Sequence, residues 1–374
     1  MTRFAPLFFT IFLATLPLDP GRASPPSDAD TTTDSSTSFA LIPPAVADQI
    51  RNEAATPAAV NLLKEADEDL AIPPDPQKVV RTQGSLPHEG IRDESELAEK
   101  DWPRMLILAM AYRLTGDPRY LQASERVISA WVDVYEVDFD PIDETNLDKM
   151  ILAYDLTRSG LSQPTQKKMT KFLRTMAEGY LHDMEKEKKK KVDTDINNWE
   201  SHRIKLATLA AYALGDDDLI AKARHDFHKQ ISVNIKRDGS VEDFYTRDAI
   251  HYVVYDLEPL ITAALAAKAH GEDWFDVPAP GGASVEQAVD WLTPFALGKK
   301  THEEFVHSRV AFDAARAKAG VEGFQGQWEP WHSIHLYQFA VLMDPKYAPT
   351  LQQIIASTGH APDDALTLLA QVGL

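Results

Sequence analysis

The sequence predicts an all-α fold, a single domain of antiparallel helix hairpins that wind into an incomplete (α/α) toroid. Apolar residues recur at helical spacing from about Pro43 to Leu374, and strand patterns are scarce. Short stretches rich in Gly, Asp and Pro separate the periodic segments, which predicts hairpins between consecutive helices. One hairpin alone leaves an apolar face uncovered, so the hairpins must pack side by side. No repeat of fixed period is found, which favours an enzyme-type toroid over a repeat array.

Ten segments carry the helical pattern most clearly. They are residues 102–114, 118–135, 147–158, 164–181, 204–214, 219–235, 250–268, 285–297, 304–319 and 350–357. The turns that separate them include residues 115–118, 159–160, 215–218, 238–240 and 278–282.

The first residues have the pattern of an export signal. A basic Arg3 precedes an apolar run over residues 4–18, and Gly21 and Ala23 give a small-residue cleavage pattern. The apolar run is shorter than the ~20 residues that span a bilayer, so a membrane anchor is not expected. We therefore predict a signal peptide over residues 1–23 and a periplasmic or secreted protein. Residues 24–42 are predicted to be a flexible Ser/Thr/Pro/Asp-rich leader, and residues 43–374 the toroid domain.

Composition narrows the classes of function. The chain has 374 residues and no cysteine, which excludes disulfides, thiolate nucleophiles and cysteine-based metal sites. Its formal net charge of −19 argues against a nucleic-acid partner, because binding phosphates requires a dense Lys/Arg surface. Residues 302–307 resemble a zinc-protease motif, but the second histidine comes one position too late to share a helix face with the first. No metal and no cofactor is predicted.

One candidate site lies in the segment Arg247-Asp248-Ala249-Ile250-His251-Tyr252-Val253-Val254-Tyr255. If this segment is one continuous helix, Arg247, His251 and Tyr255 form a single stripe beside the apolar face. A tyrosine that acts as a base needs a lowered pKa, and a neighbouring arginine lowers it by favouring the phenolate. Arg247 is predicted to do this for Tyr255. An incidental surface stripe is the alternative.

A second candidate site is Asn197-Asn198-Trp199-Glu200-Ser201-His202-Arg203. Asn198 and His202 are four residues apart, so an amide and an imidazole share one helix face. A helix cap accounts for one asparagine and leaves the other, His202 and Arg203 unexplained.

These side chains suit β-elimination from a uronic-acid polysaccharide. Removal of the C5 proton places a second negative charge beside the carboxylate, and an amide with a cation or histidine can stabilise it. A base then takes the proton and an acid protonates the leaving O4. A tyrosine can do both where the proton and the leaving oxygen lie on the same side of the ring.

At these residues the sequence resembles the alginate-lyase superfamily of polysaccharide lyases. The stretches that carry the resemblance are TDINNWESHRIK, DGSVEDFYTRDAIHYVVYDLEPL, WPRMLILAMAYRLTGDPRYLQAS and PIDETNLDKMILAYDL, within residues 95–270. The resemblance implies a toroid fold, an acidic polysaccharide substrate, Asn198 as the group that neutralises the carboxylate, and Tyr255 as the catalytic acid and also the base. Mannuronate-specific members read Asn-Asn-His, whereas Trp199 occupies the histidine position here. The substrate stays open among alginate, polymannuronate and glucuronan.

The predicted site therefore has two groups of residues. The catalytic group comprises Tyr255, Asn198, His202 and Arg247, and the substrate-binding group comprises Asn197, Trp199, Arg203, His251 and Tyr252. One alternative is a glycoside hydrolase that uses Glu144 with Glu242 or Asp243 as its carboxylate pair. Another is a sugar-binding solenoid without catalytic activity.

Overall fold

The computed structural model describes residues 38–190 and 193–374, and these residues belong to one unit of the chain. The predicted signal peptide, 1–23, and residues 24–37 of the predicted leader lie outside the described residues. Within the described ranges the chain forms sixteen α-helices joined by turns, short 3₁₀ helices and two isolated β-bridges. The helices are α1 Pro44–Gln49, α2 Pro57–Asp69, α3 Arg92–Ala98, α4 Asp101–Thr115, α5 Pro118–Val134, α6 Leu147–Thr157, α7 Gln163–Lys190, α8 Asn198–Leu214, α9 Asp217–Asn234, α10 Glu242–Arg247, α11 Ile250–Ala269, α12 Val285–Ala296, α13 Ala311–Lys318, α14 Ile334–Met343, α15 Ala348–Thr358 and α16 Asp364–Gln371.

The turns end and restart helices by ordinary capping. Gly116 and Gly215 end α4 and α8 with positive φ angles of 72° and 65°. Asp117 then accepts a hydrogen bond from the Arg119 amide at the start of α5, and Asp216 accepts one from Leu219 at the start of α9. These two turns make antiparallel hairpins of α4 with α5 and of α8 with α9.

The helices form a ring of contacts. One set packs in sequence from α4 to α6, α8, α11 and α14, and α5, α7, α9, α12 and α15 pack against this set. The ring continues from α14 through α16 and α2 back to α4, so helices from both ends of the described chain close it. The prediction of an all-α toroid of hairpins is confirmed. None of the helices in the described ranges has the length and apolarity needed to cross a bilayer.

Helix α8 is the most enclosed helix at the predicted site. It packs against α6, α7, α9 and α11, and every residue in it except Trp199 and Leu214 is buried. Its second half, from Leu206 onward, is largely apolar, whereas its first half carries Asn198, Glu200, Ser201, His202, Arg203 and Lys205. Buried polar groups need partners, so this half of α8 fixes the positions of the segments around it.

The segment 247–255 is not one continuous helix. Arg247 ends α10, Asp248 adopts a left-handed conformation with φ of 49°, and α11 begins only at Ile250. The predicted stripe of Arg247, His251 and Tyr255 is therefore wrong, because its geometry assumed helical rotation through the break.

The predicted helix over residues 304–319 is also shorter than expected. Only Ala311–Lys318 is helical, and the preceding residues form a loop over the start of α11. Glu304 accepts hydrogen bonds from the Ile250 and His251 amides, both at 2.9 Å. The carboxylate thereby caps α11 from a distant part of the chain, since Ala249 at the N-cap has no side-chain acceptor.

Residues 38–42 belong to the folded domain, which moves its beginning ahead of the predicted boundary at residue 43. Ala40, Leu41 and Ile42 are buried, and their amides donate to the Asp155 carboxylate at 2.7, 2.8 and 3.0 Å. Ser38 contacts Arg158 and the Ala213 carbonyl. The Ser/Thr-rich composition before Phe39 gave no sign of this attachment.

We expect Asp155→Asn to weaken the attachment of residues 40–42. The amide side chain retains one acceptor oxygen, and hydrogen bonds to a charged group contribute about 1.5–3 kcal/mol each. The free energy of unfolding in urea should fall by about 2–4 kcal/mol, and hydrogen exchange at residues 40–42 should accelerate. Asp133→Asn is the control, because Asp133 lies exposed on α5 in an ion pair with Lys168. Unchanged exchange at these amides would contradict the assignment.

Candidate active site

The first turn of α8 is anchored by Asp243 of α10. Asp243 accepts hydrogen bonds from the Asn198 backbone amide and from the Asn198 side-chain amide, both at 2.7 Å. Asn197 is the N-cap, with its side-chain oxygen accepting from the Trp199 amide at 3.0 Å. Capping thus accounts for Asn197, whereas the Asn198 amide keeps one N–H and its oxygen for another partner.

Asp243 is a buried carboxylate between α8 and α10. Burial raises its pKa to about 6, whereas the two hydrogen bonds from Asn198 and the charge of Arg247 lower it. Asp256 is fully buried on α11, and burial together with charge repulsion from Asp243 raises the Asp256 pKa well above its usual range. The Asp243 carboxylate therefore exchanges a proton at mildly acidic pH.

His202 and Tyr255, which are predicted to belong to one catalytic site, are in direct contact. Their ring centroids lie 4.4 Å apart, with an angle of 49° between the ring planes. His202 is 3% exposed and Tyr255 is half-buried. Burial first, and then the nearby Lys205 charge, lower the His202 pKa well below its usual range, so the imidazole is neutral at neutral pH.

The loop before α6 reaches the other side of His202. Thr145 Oγ1 lies 2.7 Å from His202 Nδ1. Lys205 Nζ donates to the Thr145 carbonyl, to Thr145 Oγ1 and to Asp148 Oδ2 at 2.8, 2.9 and 2.8 Å. Lys205 is thus a buried, fully partnered cation.

Arg203 faces away from Tyr255. It donates to the Thr194 carbonyl at 2.8 Å and pairs with Asp183 and Glu200, each at 3.4 Å. Its guanidinium also lies 5.7 Å from the centre of the Trp199 ring. The structure therefore places Arg203 in an ion-pair network beneath Trp199, and its predicted contact with substrate has no support from this geometry.

Arg247 contacts Tyr252 rather than Tyr255. Its guanidinium carbon lies 3.5 Å from the Tyr252 ring centroid, and its Nε donates to Asp313 at 2.7 Å. A second arginine, Arg316 of α13, donates to the Tyr252 hydroxyl at 3.2 Å. The prediction that Arg247 lowers the pKa of Tyr255 is wrong, because the break at Asp248 turns Arg247 toward Tyr252.

The two tyrosines differ in their electrostatic surroundings. Burial raises the pKa of Tyr252 above its usual value, and Arg247 and then Arg316 offset only part of this rise. Burial and the neighbouring Tyr252 and Asp140 raise the pKa of Tyr255, with Arg316 opposing them. The rings lie 5.9 Å apart in an edge-to-face arrangement. Two phenols thus stand side by side, and the arginines lie directly against only one of them.

His251 faces a separate cavity of about 290 Å³. The cavity is lined by His251, Glu304, Glu322, Gly323, Gln325, Gly326, Gln327, Trp328, Glu329 and His332. The His251 ring lies 5.5 Å from Tyr252 and 6.3 Å from His332. His251 is therefore next to the tyrosine pair and does not lie on a common line with Tyr255 and Arg247.

The structure brings together Asn198, His202, Tyr252, Tyr255 and Arg247 and leaves Arg203 apart. Sequence reasoning missed Arg316 and the roles of Thr145, Asp243 and Glu304. Asp313 and Arg316 are three residues apart on a helix, a spacing typical of an ion pair, but Arg316 lies 64 residues from Tyr252, which it contacts. Within the described residues, no group of three or more His, Asp or Glu side chains is placed to hold a metal ion.

The carboxylates of the hydrolase alternative are occupied. Glu144 is 0% exposed and accepts hydrogen bonds from the Tyr135 and Tyr180 hydroxyls. Asp243 is 1% exposed and holds Asn198, while Glu242 pairs with Lys236. These residues do not form the pair of accessible carboxyl groups that a glycoside hydrolase needs on either side of the glycosidic bond. The hydrolase alternative is therefore not favoured.

Amide, imidazole, phenol and guanidinium groups are thus gathered on α8, α10 and α11 of an all-α ring. The chain belongs to the alginate lyase family, whose profile matches residues 46–302. Among curated protein sequences, none matches this chain.

Solved structures of alginate lyases share the fold. An alginate lyase from Bacteroides ovatus aligns with a TM-score of 0.63 and 15% identity, over 88% of this chain and 98% of that one. Alginate lyase A1-III from Sphingomonas species A1 aligns with a TM-score of 0.55 and 17% identity, over 91% and 93% of the two chains. A variant of A1-III complexed with tetrasaccharide gives 0.53 and 19% over 74% and 81%.

We expect activity to fall as the pH drops through about 6, because protonation of Asp243 removes an acceptor from the Asn198 donors. Asp243→Asn should lower kcat about tenfold at pH 8, since a lost hydrogen bond to a charged group costs about 1.5–3 kcal/mol. The same variant should lose the acidic limb of the pH–rate profile.

The control for this experiment is Asp216→Asn, which alters a helix cap remote from the tyrosines. An acidic limb that persists unchanged in Asp243→Asn would assign it to another group.

Proposed function

We propose that this protein is an exported lyase that cleaves alginate, or a closely related polyuronate, by β-elimination. The observation that carries the proposal is the contact of Tyr255 with His202, which lies one helical turn after Asn198 on α8. Beside Tyr255 stands a second tyrosine, Tyr252, which lies against Arg247. Membership of the alginate lyase family supports the substrate class. Export rests on the predicted signal peptide over residues 1–23.

The uronate carboxylate needs donors that stabilise the charge formed when the C5 proton leaves. Asn198 has one side-chain N–H that Asp243 does not use, and Asp243 holds the residue by accepting from its other side-chain N–H and from its backbone N–H. A fixed donor stabilises developing charge without a reorganisation cost at the moment of reaction. Asn198 therefore binds the carboxylate in this proposal.

Proton transfer falls to the tyrosine pair. Tyr252 receives a hydrogen bond from Arg316 and lies against Arg247, and both cations stabilise its phenolate. Tyr255 lacks such a contact and stays protonated, because burial favours the neutral phenol. Tyr252 accordingly takes the C5 proton and Tyr255 donates to O4, a division that replaces the predicted double role of Tyr255.

The acidic chain must still attract a polyanion. Arg203 and Lys205 are paired with the buried carboxylates of Glu200 and Asp148. Arg247 and Arg316 share the single carboxylate of Asp313. These three groups together carry one net positive charge beside Tyr252, whereas Asp140 is a negative neighbour of Tyr255.

Cleavage by elimination is expected to leave an unsaturated uronate at the new non-reducing end. Incubation with alginate, polymannuronate and glucuronan should give ultraviolet-absorbing oligosaccharides from at least one of them. New reducing ends without ultraviolet absorbance would indicate a hydrolase, and binding without either product would indicate a sugar-binding protein.

Two phenylalanine substitutions test the division of roles. Tyr252→Phe should lower kcat by more than about 10³-fold and Tyr255→Phe by about 10–10²-fold, because general catalysts contribute about 10²–10⁴-fold and water can replace a proton donor. Melting temperatures should change little. Tyr120→Phe is the control, because it removes a tyrosine hydroxyl that donates to Asp67 and lies on α5, away from the candidate site. If Tyr255→Phe lowers kcat more than Tyr252→Phe does, Tyr255 is the base.

A further inference from the structure

The surroundings of the two ring nitrogens of His202 indicate which of them carries the proton. Lys205 has three ammonium protons and three acceptors within 2.9 Å, which are the Thr145 carbonyl, Thr145 Oγ1 and Asp148 Oδ2. Each proton is matched by one acceptor. Thr145 Oγ1 is therefore an acceptor toward Lys205, and its own hydroxyl proton is left for another partner.

The partner of that proton is His202 Nδ1, 2.7 Å from Thr145 Oγ1. A hydroxyl that donates to Nδ1 requires a lone pair there, so the proton of the neutral imidazole must be on Nε2. The reverse arrangement would leave the Thr145 hydroxyl proton without an acceptor among the contacts of the described residues.

The opposite side of the ring supports the same tautomer. His202 Nε2 is buried without a hydrogen-bond partner. Pro259 lies inside α11 four residues after Tyr255 and has no amide hydrogen, so the Tyr255 carbonyl lacks its helical donor. The backbone of Tyr255 raises the pKa of the imidazole, which is the effect of a carbonyl oxygen facing a ring N–H.

We propose that Lys205 and Thr145 lock His202 in the Nε2–H tautomer, so that His202 is a positioning residue for Tyr255 and not a base. The inference rests on the proposed function in assigning the purpose of the lock, whereas the tautomer itself is a property of the resting enzyme. With Nδ1 accepting from Thr145 and Nε2 protonated, neither nitrogen can take the C5 proton. The ring instead packs against the Tyr255 phenol.

Nitrogen NMR of the full-length protein labelled with ¹⁵N-histidine tests the tautomer without substrate. His202 should show an unprotonated Nδ1 and a protonated Nε2 at neutral pH, with the signals assigned from their loss in His202→Gln. A protonated Nδ1, or a charged ring, would overturn the proposal. The NMR result does not depend on whether any polyuronate is cleaved. A wrong tautomer can therefore be distinguished from a failure of the proposed function.

The Thr145 variants test the lock. Thr145→Val should give a mixture of tautomers and lower kcat several-fold with little change in KM, and Thr145→Ser should restore both. Thr175→Val is the matched control, because that hydroxyl donates only to the Lys171 carbonyl on the exposed side of α7. A wild-type nitrogen spectrum in Thr145→Val would contradict the role of Thr145.

His202→Gln separates positioning from base catalysis. The glutamine amide nitrogen can replace the Nε2–H donor but cannot accept a proton. A positioning role predicts a loss of kcat within about tenfold, whereas loss of a general base removes about 10²–10⁴-fold. A loss in the latter range, in a variant that keeps the wild-type melting temperature, would assign His202 as the base.

Discussion

The burial of polar side chains along the first half of α8 is the constraint on which this structure depends. A buried polar group without a partner costs about 1–3 kcal/mol, and more when it is charged. Almost all of these groups are satisfied by partners from other segments, through pairs that join α8 to α6, α10 and α11. These pairs are Asn198 with Asp243, Ser201 with Asp256, and Lys205 with Asp148. A helix that needed only apolar packing could rotate or slide, whereas this one has a single arrangement that satisfies its polar groups.

The same constraint explains why the side chains of the candidate site are held in fixed positions. The Lys205 pairing brings the loop with Thr145 to His202, and the Asp243 pairing brings α10 to the N-terminus of α8. Glu304 caps α11 and thereby fixes the position of its two tyrosines along α8. The candidate catalytic side chains are thus supported by contacts that lie one step away from them, as preorganised sites require.

Much of the architecture followed from local pattern. Helical periodicity and capping turns depend on residues within a few positions of each other, so the hairpins and an asparagine cap at the start of α8 were predictable. The partner of Asn198 was not, because Asp243 lies 45 residues away along the chain. The leader boundary failed because the partner of residues 40–42 is Asp155, more than 110 residues away. The shortened helix after Glu304 failed for the same kind of reason, since that carboxylate serves α11 rather than its own segment.

By itself the sequence determined the helical class, the family resemblance and the residue types at the site, because these depend on composition and on short-range spacing. Tertiary structure alone decided which side chains meet. The left-handed turn at Asp248 assigns the arginine to Tyr252, the partners of Lys205 set the proton on His202, and burial removes Glu144 and Arg203 from contact with a substrate. Short-range spacing does not fix these contacts: Asp313, which holds Arg247, lies 66 residues away along the chain, and Thr145, which holds Lys205, lies 60 residues away.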